Sequence, residues 1–577
     1  MASKSEARTT TTSPQSETHF TLNSSEQTEA FKASILEDRK HLESSERPRP
    51  AIASLWSRNK RKVQLEEIAT QPSVYDDPEL AKYFQPHPKY ENSHRFDPGM
   101  RWTWAEELPL VKKIDWKITA WSCIAFFALD LDRSNLSQAN TDNFLDDLGL
   151  NTSDYNMGNT AFYTSFLLAE LPSQLVSKKI GPDVWIPAQM MLWSVVASCQ
   201  FWLNGRTSFL ATRALLGLLQ GGFIPDLILY MSYFFKGTEL PFRLALFWMA
   251  NRLTDVIAPL LAYGLLRLRG VHGYEGWRWL FLIEGLLTLA IGIWSWFQMA
   301  ASPTQTKSWY RPKGWFNERE EKIMVNRILR DDPSKGDMHN RQAITLPLMW
   351  KSLCDFDLWP LYLIGLVFGL PAGAPDRYLT LTLRNLGFDT FNSNLLSIPC
   401  QVATTINMLI LTYISEIINQ RAYLGIFVQC WFLPCLVAMY TLPSGTSRWS
   451  SYAAVTVLLS YPTPHPMQVA WISRNSNAVR ARTVSAALYN MAVQLQSIIS
   501  SNIYSEDDKP YYRRGNRILL SMACVNIVIY LGAKAYYTWR NKQKAARWDV
   551  LSEQEKIHYN ETTTDQGAKR RDFRFVS

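Results

Sequence analysis

Residues 125–140 read AFFALDLDRSNLSQAN, an apolar run that breaks into charge at Asp130, Asp132 and Arg133. The core of a soluble protein does not tolerate such a cluster, because burying unpaired charges is costly. A solvated loop would not carry the apolar residues AFFAL directly before the charges. The rest of the sequence resolves this conflict, because it places the stretch at the end of a membrane-spanning helix.

Apolar residues are spread unevenly over the 577 residues, of which 47% are hydrophobic and 13% aromatic. A helix needs about 20 apolar residues to cross the hydrocarbon core of a bilayer. Runs near that length lie at 116–138, 156–176, 184–203, 208–234, 242–266, 279–299, 357–380, 392–414, 422–442, 449–472, 480–503 and 518–539. The sequence therefore predicts an all-α membrane protein with twelve transmembrane helices.

The polar segments divide the chain into five parts. The first is rich in Ser, Thr, Glu and Lys and buries too little apolar surface to fold. In the central loop, NEREEKIMVNRIL is typical of an amphipathic helix at the membrane surface. The predicted parts are a disordered cytosolic tail (1–113), a first six-helix bundle (114–299), a cytosolic central loop with a surface helix (300–352), a second six-helix bundle (353–540) and a cytosolic tail (541–577).

Two internal matches indicate that the second half repeats the first. LGLNTSDYN (148–156) aligns with LGFDTFNSN (386–394) at an offset of 238 residues, and RLALFWMAN (243–251) aligns with RTVSAALYN (482–490) at an offset of 239. These offsets predict two pseudo-symmetric bundles. Asp132-Arg133 also recurs as Asp376-Arg377, but its offset of 244 leaves coincidence open.

The distribution of basic residues predicts that both termini lie in the cytosol. Lys236, Arg243, the central loop and RNKQKAAR (540–547) all fall on the side of the N-terminal tail, whereas the loop NTDNFLDDLGLNTSDYN (140–156) has no Lys or Arg. The loop SEDDKPYYRRGNR (505–517) departs from this pattern. Asn151-Thr-Ser is a glycosylation sequon in the predicted outer loop.

Several classes of function have no support in the sequence. It contains no phosphate-binding G-x-x-x-x-G-K-[ST] loop, no G-x-S-x-G and no H-E-x-x-H, and its seven cysteines are scattered singles without C-x-x-C. His465 has no nucleophile or metal partner nearby in the sequence, which favours a structural role. We therefore predict no enzyme activity, no cofactor, no metal site and no nucleic-acid partner.

Polar groups at membrane depth are costly, so they are candidates for function. Asp130 and Arg133 are three residues apart and therefore share one helix face. They form either a structural ion pair or a pair that handles the substrate or protons. Arg252 and Asp255 repeat that spacing beside Asn251, and a structural salt bridge is the simpler explanation there.

A second basic candidate lies in RALLGLLQGG (213–222). Gly217 and Gly221 follow Arg213 at four-residue spacing, so another helix can approach closely while the buried arginine binds an anion or carbonyls. Asp226 lies about 20 Å further along the helix and cannot pair with Arg213.

Five stretches resemble the major facilitator superfamily, and within it the allantoate permease branch of the fungal anion:cation symporters. They are LDRSNLSQAN (131–140), LPSQLVSKKIGPDVWIP (171–187), RALLGLLQGGFIP (213–225), GWRWLFLIEG (276–285) and SRNSNAVRARTVSAALYN (473–490). Within the branch the chain looks most similar to carriers of alternative sulfur sources such as sulfonates.

The resemblance implies two bundles that rock around a central site and take up a small carboxylate- or sulfonate-like anion with protons. SKKIGPDVWIP is a reduced form of the superfamily loop motif, which puts the usual charge latch in doubt. APLLAYG (258–264) only faintly matches the antiporter signature, which weakens an export function without excluding it.

The sequence thus predicts a proton-coupled importer of a small organic anion that acts as a monomer in the plasma membrane. Proton-driven efflux of a metabolite and a nutrient sensor that does not transport are the alternatives. The candidate anion-binding residues are Arg133, Arg213, Asn251, Arg252, Arg377 and Asn490, and the candidate proton-coupling residues are Asp130, Asp226 and Asp255.

Overall fold

The computed structural model describes residues 65–576, except 83, 87–89, 238, 337–349, 351–352, 419, 442–445, 477–478, 509–511, 553–554, 557–558, 560–570 and 572. Helix lies over each of the twelve predicted spans, and no β-strand occurs among these described residues. We number the spans 1 to 12 in chain order. We call the side on which span 1 begins the N-side and the opposite side the far side.

The first six spans form one bundle. Span 4 is broken at Gly221 and Gly222, where the backbone passes close to span 2: a Cβ on Gly222, whose φ is +84°, would lie 2.5 Å from the side chain of Ser173. The helices of spans 1 to 6 are Ala120–Ala139, Thr152–Ile180, Pro182–Cys199, Arg206–Gln220 with Phe223–Ser232, Leu240–Leu265 and Gly276–Gln298.

The second bundle contains more broken spans than the first. Span 10 is interrupted at residues 461–464 (YPTP), and the helix of span 12 continues past the predicted boundary at residue 540. The helices of spans 7 to 12 are Trp359–Val367 with Leu370–Arg377, Thr390–Leu395 with Ile398–Ile418, Arg421–Thr441, Arg448–Leu459 with His465–Ser476, Val479–Ser501 and Arg513–Trp548.

Eight of the spans, numbers 3 to 9 and 12, are long and apolar enough to cross a membrane. Span 1 carries three charges at Asp130, Asp132 and Arg133, and span 10 is divided by Pro462 and Pro464. A helix satisfies all of its backbone hydrogen bonds internally, which a spanning segment requires. These helices confirm the predicted all-α membrane fold.

Packing within the first bundle is repeated in the second. Span 3 packs on span 6 as span 9 packs on span 12, and span 1 packs on span 5 as span 7 packs on span 11. Between the bundles, span 2 contacts span 11 and span 5 contacts span 8. These two contacts exchange when the halves are exchanged, so the bundles are related by a pseudo-two-fold, as the sequence repeat predicts.

A folded segment precedes span 1 on the N-side. It comprises residues 65–103 and the helix Trp104–Ile114, which we call the entry helix. Val74 and Tyr75 pack against Val325 in the helix Glu318–Asp331, which we call the loop helix. The loop helix coincides with the predicted amphipathic helix of the central loop.

The prediction of a disordered tail through residue 113 is therefore wrong from residue 65 onward. Its few apolar side chains bury against a helix more than 200 residues away in the sequence, and local composition does not reveal such a partner. Residues 1–64, on which the rest of this prediction depends, lie outside the described residues.

Candidate functional site

Two arginines of the first bundle share one aromatic ring. Arg133 of span 1 and Arg213 of span 4 place their guanidinium carbons 5.7 and 4.7 Å from the ring centroid of Phe162 on span 2. Arg133 also lies 4.7 Å from the ring centroid of Phe166. Cation–π contact partly compensates the buried charges, but a ring cannot satisfy the several N–H donors of a guanidinium.

Several hydrogen-bond donors around these arginines lack an acceptor in the described part of the chain. Arg133 Nε donates to Gln220 Oε1 at 2.9 Å. Within the described residues, no acceptor is found for Arg133 Nη2, Arg213 Nε and Nη1, or Gln220 Nε2, all of which are buried. Because buried polar groups are almost always paired, four such donors close together indicate a binding place for a group that brings its own acceptors.

A group of carboxylates surrounds Arg252 of span 5. Arg252 Nη1 pairs with Asp255 at 3.0 Å, as the i, i+3 spacing predicts. Asp130 of span 1 and Asp376 of span 7 lie within electrostatic range of the same guanidinium, and Asn251 is within hydrogen-bonding reach of Asp130. Both bundles therefore contribute acids to one place.

Arg377 of span 7 completes the arrangement. Its Nη1 donates to the Ser497 carbonyl at 2.7 Å and to Ser500 Oγ at 2.9 Å on span 11. Its guanidinium carbon lies 4.9 Å from the ring centroid of Tyr163, which also lies within electrostatic range of Arg133. We call the set the central cluster: Arg133, Arg213, Arg252, Arg377, Asp130, Asp255 and Asp376.

Charged side chains of the central cluster reach solvent-accessible space at mid-span, which we call the cavity. Arg252 lies midway along Leu240–Leu265, yet the side chains of Arg252 and Asp255 are 27% and 23% exposed. Asp376 is exposed as well. Ionised side chains at mid-span face water-filled space or each other rather than lipid.

Hydrogen bonds join the two bundles on the far side of the central cluster. Tyr378 Oη donates to Asn156 Oδ1 at 2.5 Å, and Asn156 Nδ2 donates to the Tyr504 carbonyl at 2.8 Å. Thr380 Oγ1 donates to the Ser137 carbonyl at 2.7 Å. We call these contacts, with the further bonds Thr390 to Thr141, Asn394 to Thr141 and Asn502 to Thr160, the far-side seam.

His465 of span 10 lies at the same cavity, in an aromatic cluster. Its ring stacks on Phe368 and Tyr489 at centroid distances of 6.2 and 5.6 Å, and it meets the edge of Trp248 on span 5 at 6.0 Å. It also lies within electrostatic range of Arg252. The sequence suggested a structural role for His465 but did not reveal this contact between the bundles.

Not every predicted site residue joins the central cluster. Asp226 is buried beside Glu170 and Ser177, apart from the arginines. Asn490 is half-buried on span 11 and makes none of the contacts described above. Asn151 is exposed and caps the helix of span 2, since its side chain accepts a hydrogen bond from Asp154 N.

Two polar members of the site, Gln220 and Asp376, are absent from the predicted site residues. Gln220 lies seven residues after Arg213, on the same helix face, so the spacing carried a usable signal. Asp376 was visible in the repeated Asp-Arg pair. Its partner Arg252 lies in the other bundle, which no spacing reveals.

Comparisons with known proteins agree with this architecture. A family model described as Major Facilitator Superfamily matches residues 122–501. The uncharacterized transporter YIL166C of Saccharomyces cerevisiae is 46% identical over 489 residues, covering 84% of this chain and 90% of that protein. The MFS-type transporter efuF of Hormonema carpetanum is 24% identical over 435 residues, covering 75% of this chain and 86% of that protein.

A solved structure shares the fold at low sequence identity. It is a bacterial homologue of the human lysosomal transporter Spinster in an inward-facing and occupied conformation. The TM-score is 0.54 and the identity 13%, with 72% of this chain and 96% of that chain covered.

Proposed function

The chain belongs to the major facilitator superfamily and is a membrane transporter, not an enzyme, and on this premise we propose that it imports a small organic anion together with protons. The observation that carries the proposal is the group of four buried donors without acceptors on Arg133, Arg213 and Gln220. A carboxylate or sulfonate supplies the missing acceptors and the opposite charge.

The donor geometry suits a small oxyanion. Each guanidinium can present two parallel N–H groups to one carboxylate or sulfonate. Phe162 keeps the guanidinium groups of Arg133 and Arg213 near each other without neutralising either charge. The anion therefore binds between spans 1, 2 and 4.

Proton coupling follows from the carboxylates around Arg252. A proton taken up by Asp130 or Asp255 leaves with the anion when the cavity opens to the other side. Binding both together lowers the charge that must cross a region of low dielectric. Asp226 remains a candidate for a separate proton step on the N-side of span 4.

We place the chain in the allantoate permease branch of the anion:cation symporters, near the carriers of sulfonates. The N-side faces the cytosol, with both termini there, and the carrier works as a monomer in the plasma membrane. The basic residues on the N-side support this orientation.

The test is uptake of labelled anions by cells that express the chain. The panel contains sulfonates, ureido acids, nicotinate and pantothenate, offered at acidic and neutral outer pH with and without a protonophore. We expect one class to accumulate more strongly at acidic pH and to lose accumulation with the protonophore. Arg213→Gln should abolish that uptake, because a buried donor pair and its charge are lost.

A matched control lies on the same helix. Arg206 begins the helix that carries Arg213, but its side chain is 56% exposed and pairs with Asp154 at 2.6 Å. Arg206→Gln should therefore leave uptake unchanged. Uptake that is insensitive to Arg213→Gln would refute the binding site, and a correctly localised protein with no uptake would favour efflux or sensing instead.

A further inference from the structure

Residues 573–576 are bound in a groove between spans 10 and 12 on the N-side. The side chain of Asn541 accepts a hydrogen bond from Phe575 N and donates one to the Phe575 carbonyl, both at 2.8 Å. Asn475 holds Val576 in the same way, at 2.9 and 3.0 Å. Trp471 Nε1 donates to the Val576 carbonyl at 2.7 Å. Two asparagines thus hold the backbone of residues 575 and 576.

Phe575 is buried in the groove, and Phe573 and Val576 are partly buried against the same hydrophobic cluster. Phe575 is 4% exposed and stacks on Tyr537 of span 12 at a centroid distance of 5.3 Å. Lys544 lies 5.4 Å from the same ring. Arg574, the next residue back, is exposed, and its Nη1 donates to the carbonyls of Arg571 and Phe573 at 2.9 and 3.1 Å instead of entering the groove. Backbone bonds and a buried aromatic anchor together are the elements of specific peptide recognition.

The groove includes a helix that is not continuous with the rest of its span. In span 10 the helix ends at Leu459 and resumes at His465, with Pro462 and Pro464 between. Proline lacks the N–H that would continue the helical hydrogen bonds. The helix His465–Ser476 is therefore joined to the rest of its span through a break.

One face of this helix reaches from the cavity to the bound segment. At one end of the helix, His465 contacts Trp248 of span 5. At the other end, Trp471 and Asn475 contact Val576. Between them, Gln468 accepts a hydrogen bond from Tyr489 at 2.5 Å. Because a rigid helix moves as one body, a displacement at either end also moves the other end.

The helix His465–Ser476 also contacts span 12 directly, since Gln468 donates to Tyr530 and the ring of Trp471 lies 6.1 Å from that of Tyr537. We propose that residues 573–576 are an intramolecular latch that strengthens this attachment and so restrains the helix against the cavity. Release of the latch weakens the attachment of this helix to span 12, so that it moves more readily about its proline break, which raises the rate of the transport cycle. The effect on rate rests on the transport function proposed above, whereas the restraint on the helix does not.

The restraint is tested by hydrogen–deuterium exchange on the full-length protein in nanodiscs. Asn541→Ala removes two hydrogen bonds, and docking should weaken roughly tenfold. We expect faster exchange in residues 573–576 and in 465–476 for Asn541→Ala and for Phe575→Ala. Arg574→Ala is the matched control, since its side chain does not enter the groove. Equal exchange in all four proteins would overturn the latch.

Uptake tests the effect on rate. Phe575→Ala should raise the maximal uptake rate and leave the apparent KM for the anion unchanged, whereas Arg574→Ala changes neither. Faster exchange in 465–476 with an unchanged uptake rate would refute the regulatory role. If no anion is taken up by any variant, the exchange result still decides whether the restraint exists, so failure of the two proposals is distinguishable.

Discussion

Replacement of Glu107 should destabilise the N-side of the first bundle more than any surface charge does. The Glu107 side chain is 1% exposed and accepts hydrogen bonds from Lys236 Nζ at 2.5 Å, Trp102 Nε1 at 2.6 Å and Arg327 Nε at 3.2 Å. It joins the entry helix, the connection between spans 4 and 5, and the loop helix. Glu107→Gln keeps the shape but removes the charge.

The size of the effect follows from the cations left behind. Lys236 and Arg327 are 4% and 0% exposed, and removing one partner of a buried pair costs about 3–5 kcal/mol. Arg327 keeps a second partner in Glu239, so the lower figure applies. A loss of about 3 kcal/mol in the free energy of unfolding lowers Tm by roughly 6–12 °C for a folding unit of about 150–250 residues.

The assay is loss of the monodisperse peak on heating in detergent, with Glu106→Gln as control. Glu106 neighbours Glu107 but is 32% exposed and pairs with Arg319 at 2.5 Å. A surface pair contributes about 0–1 kcal/mol, so the control should lie within about 4 °C of the wild type. Equal shifts in the two variants would refute the importance of burial at Glu107.

The difference in stability between the wild type and Glu107→Gln should depend on pH. Burial raises the pKa of Glu107, but the charges of Lys236 and Arg327 outweigh it and hold the pKa below the ordinary value of 4.5. A depressed pKa stabilises the fold above the unfolded value, and this contribution is lost as pH falls through the folded pKa. The gap in Tm between the wild type and Glu107→Gln should be constant at neutral pH and shrink as pH falls below the ordinary value of 4.5 towards the lower folded pKa.

Three further outcomes are expected. Gly217→Ala should abolish folded protein in size-exclusion profiles, because a Cβ there would lie 2.2 Å from a carbonyl of span 2, whereas Gly264→Ala has open space and should match the wild type; equal yields would contradict this packing. Tyr378→Phe removes the bond to Asn156 across the far-side seam and should speed amide exchange at the far-side end of span 2, and unchanged exchange would show that the bond does not hold the bundles together. A glycosidase should shift the wild-type band but not that of Asn151→Gln, and a wild-type band that never shifts would mean that the sequon is unoccupied.

The spans were predictable because crossing a bilayer imposes a length and a composition that the sequence must show. The pseudo-symmetry was predictable because Gly149 and Asn251 recur in the second half at nearly one offset. Arg252 and Asp255 were paired correctly, since i, i+3 spacing fixes their proximity within one helix. These inferences all depend on local or periodic constraints.

Contacts between spans could not be predicted in the same way. Asp130 and Asp132 are two residues apart on span 1, yet Asp130 lies near Arg252 while Asp132 is buried beside Glu284 inside the first bundle. The spacing to Arg133 favoured Asp130, but the contact with Arg252 depends on how spans 1 and 5 are rotated. Spans that are apolar nearly all round leave that rotation open.

The charges of the central cluster bear directly on coupling. Its four arginines and three aspartates, when all are ionised, leave one excess positive charge. A bound monoanion cancels that charge, and a proton on one aspartate restores it. On the proposed function, the empty site and the site loaded with one anion and one proton therefore carry the same charge. Either ligand alone changes the charge by one, and a change of charge in a region of low dielectric is costly. Loading with one proton per monovalent anion thus leaves the charge of the cluster unchanged, which favours a cycle that moves both together.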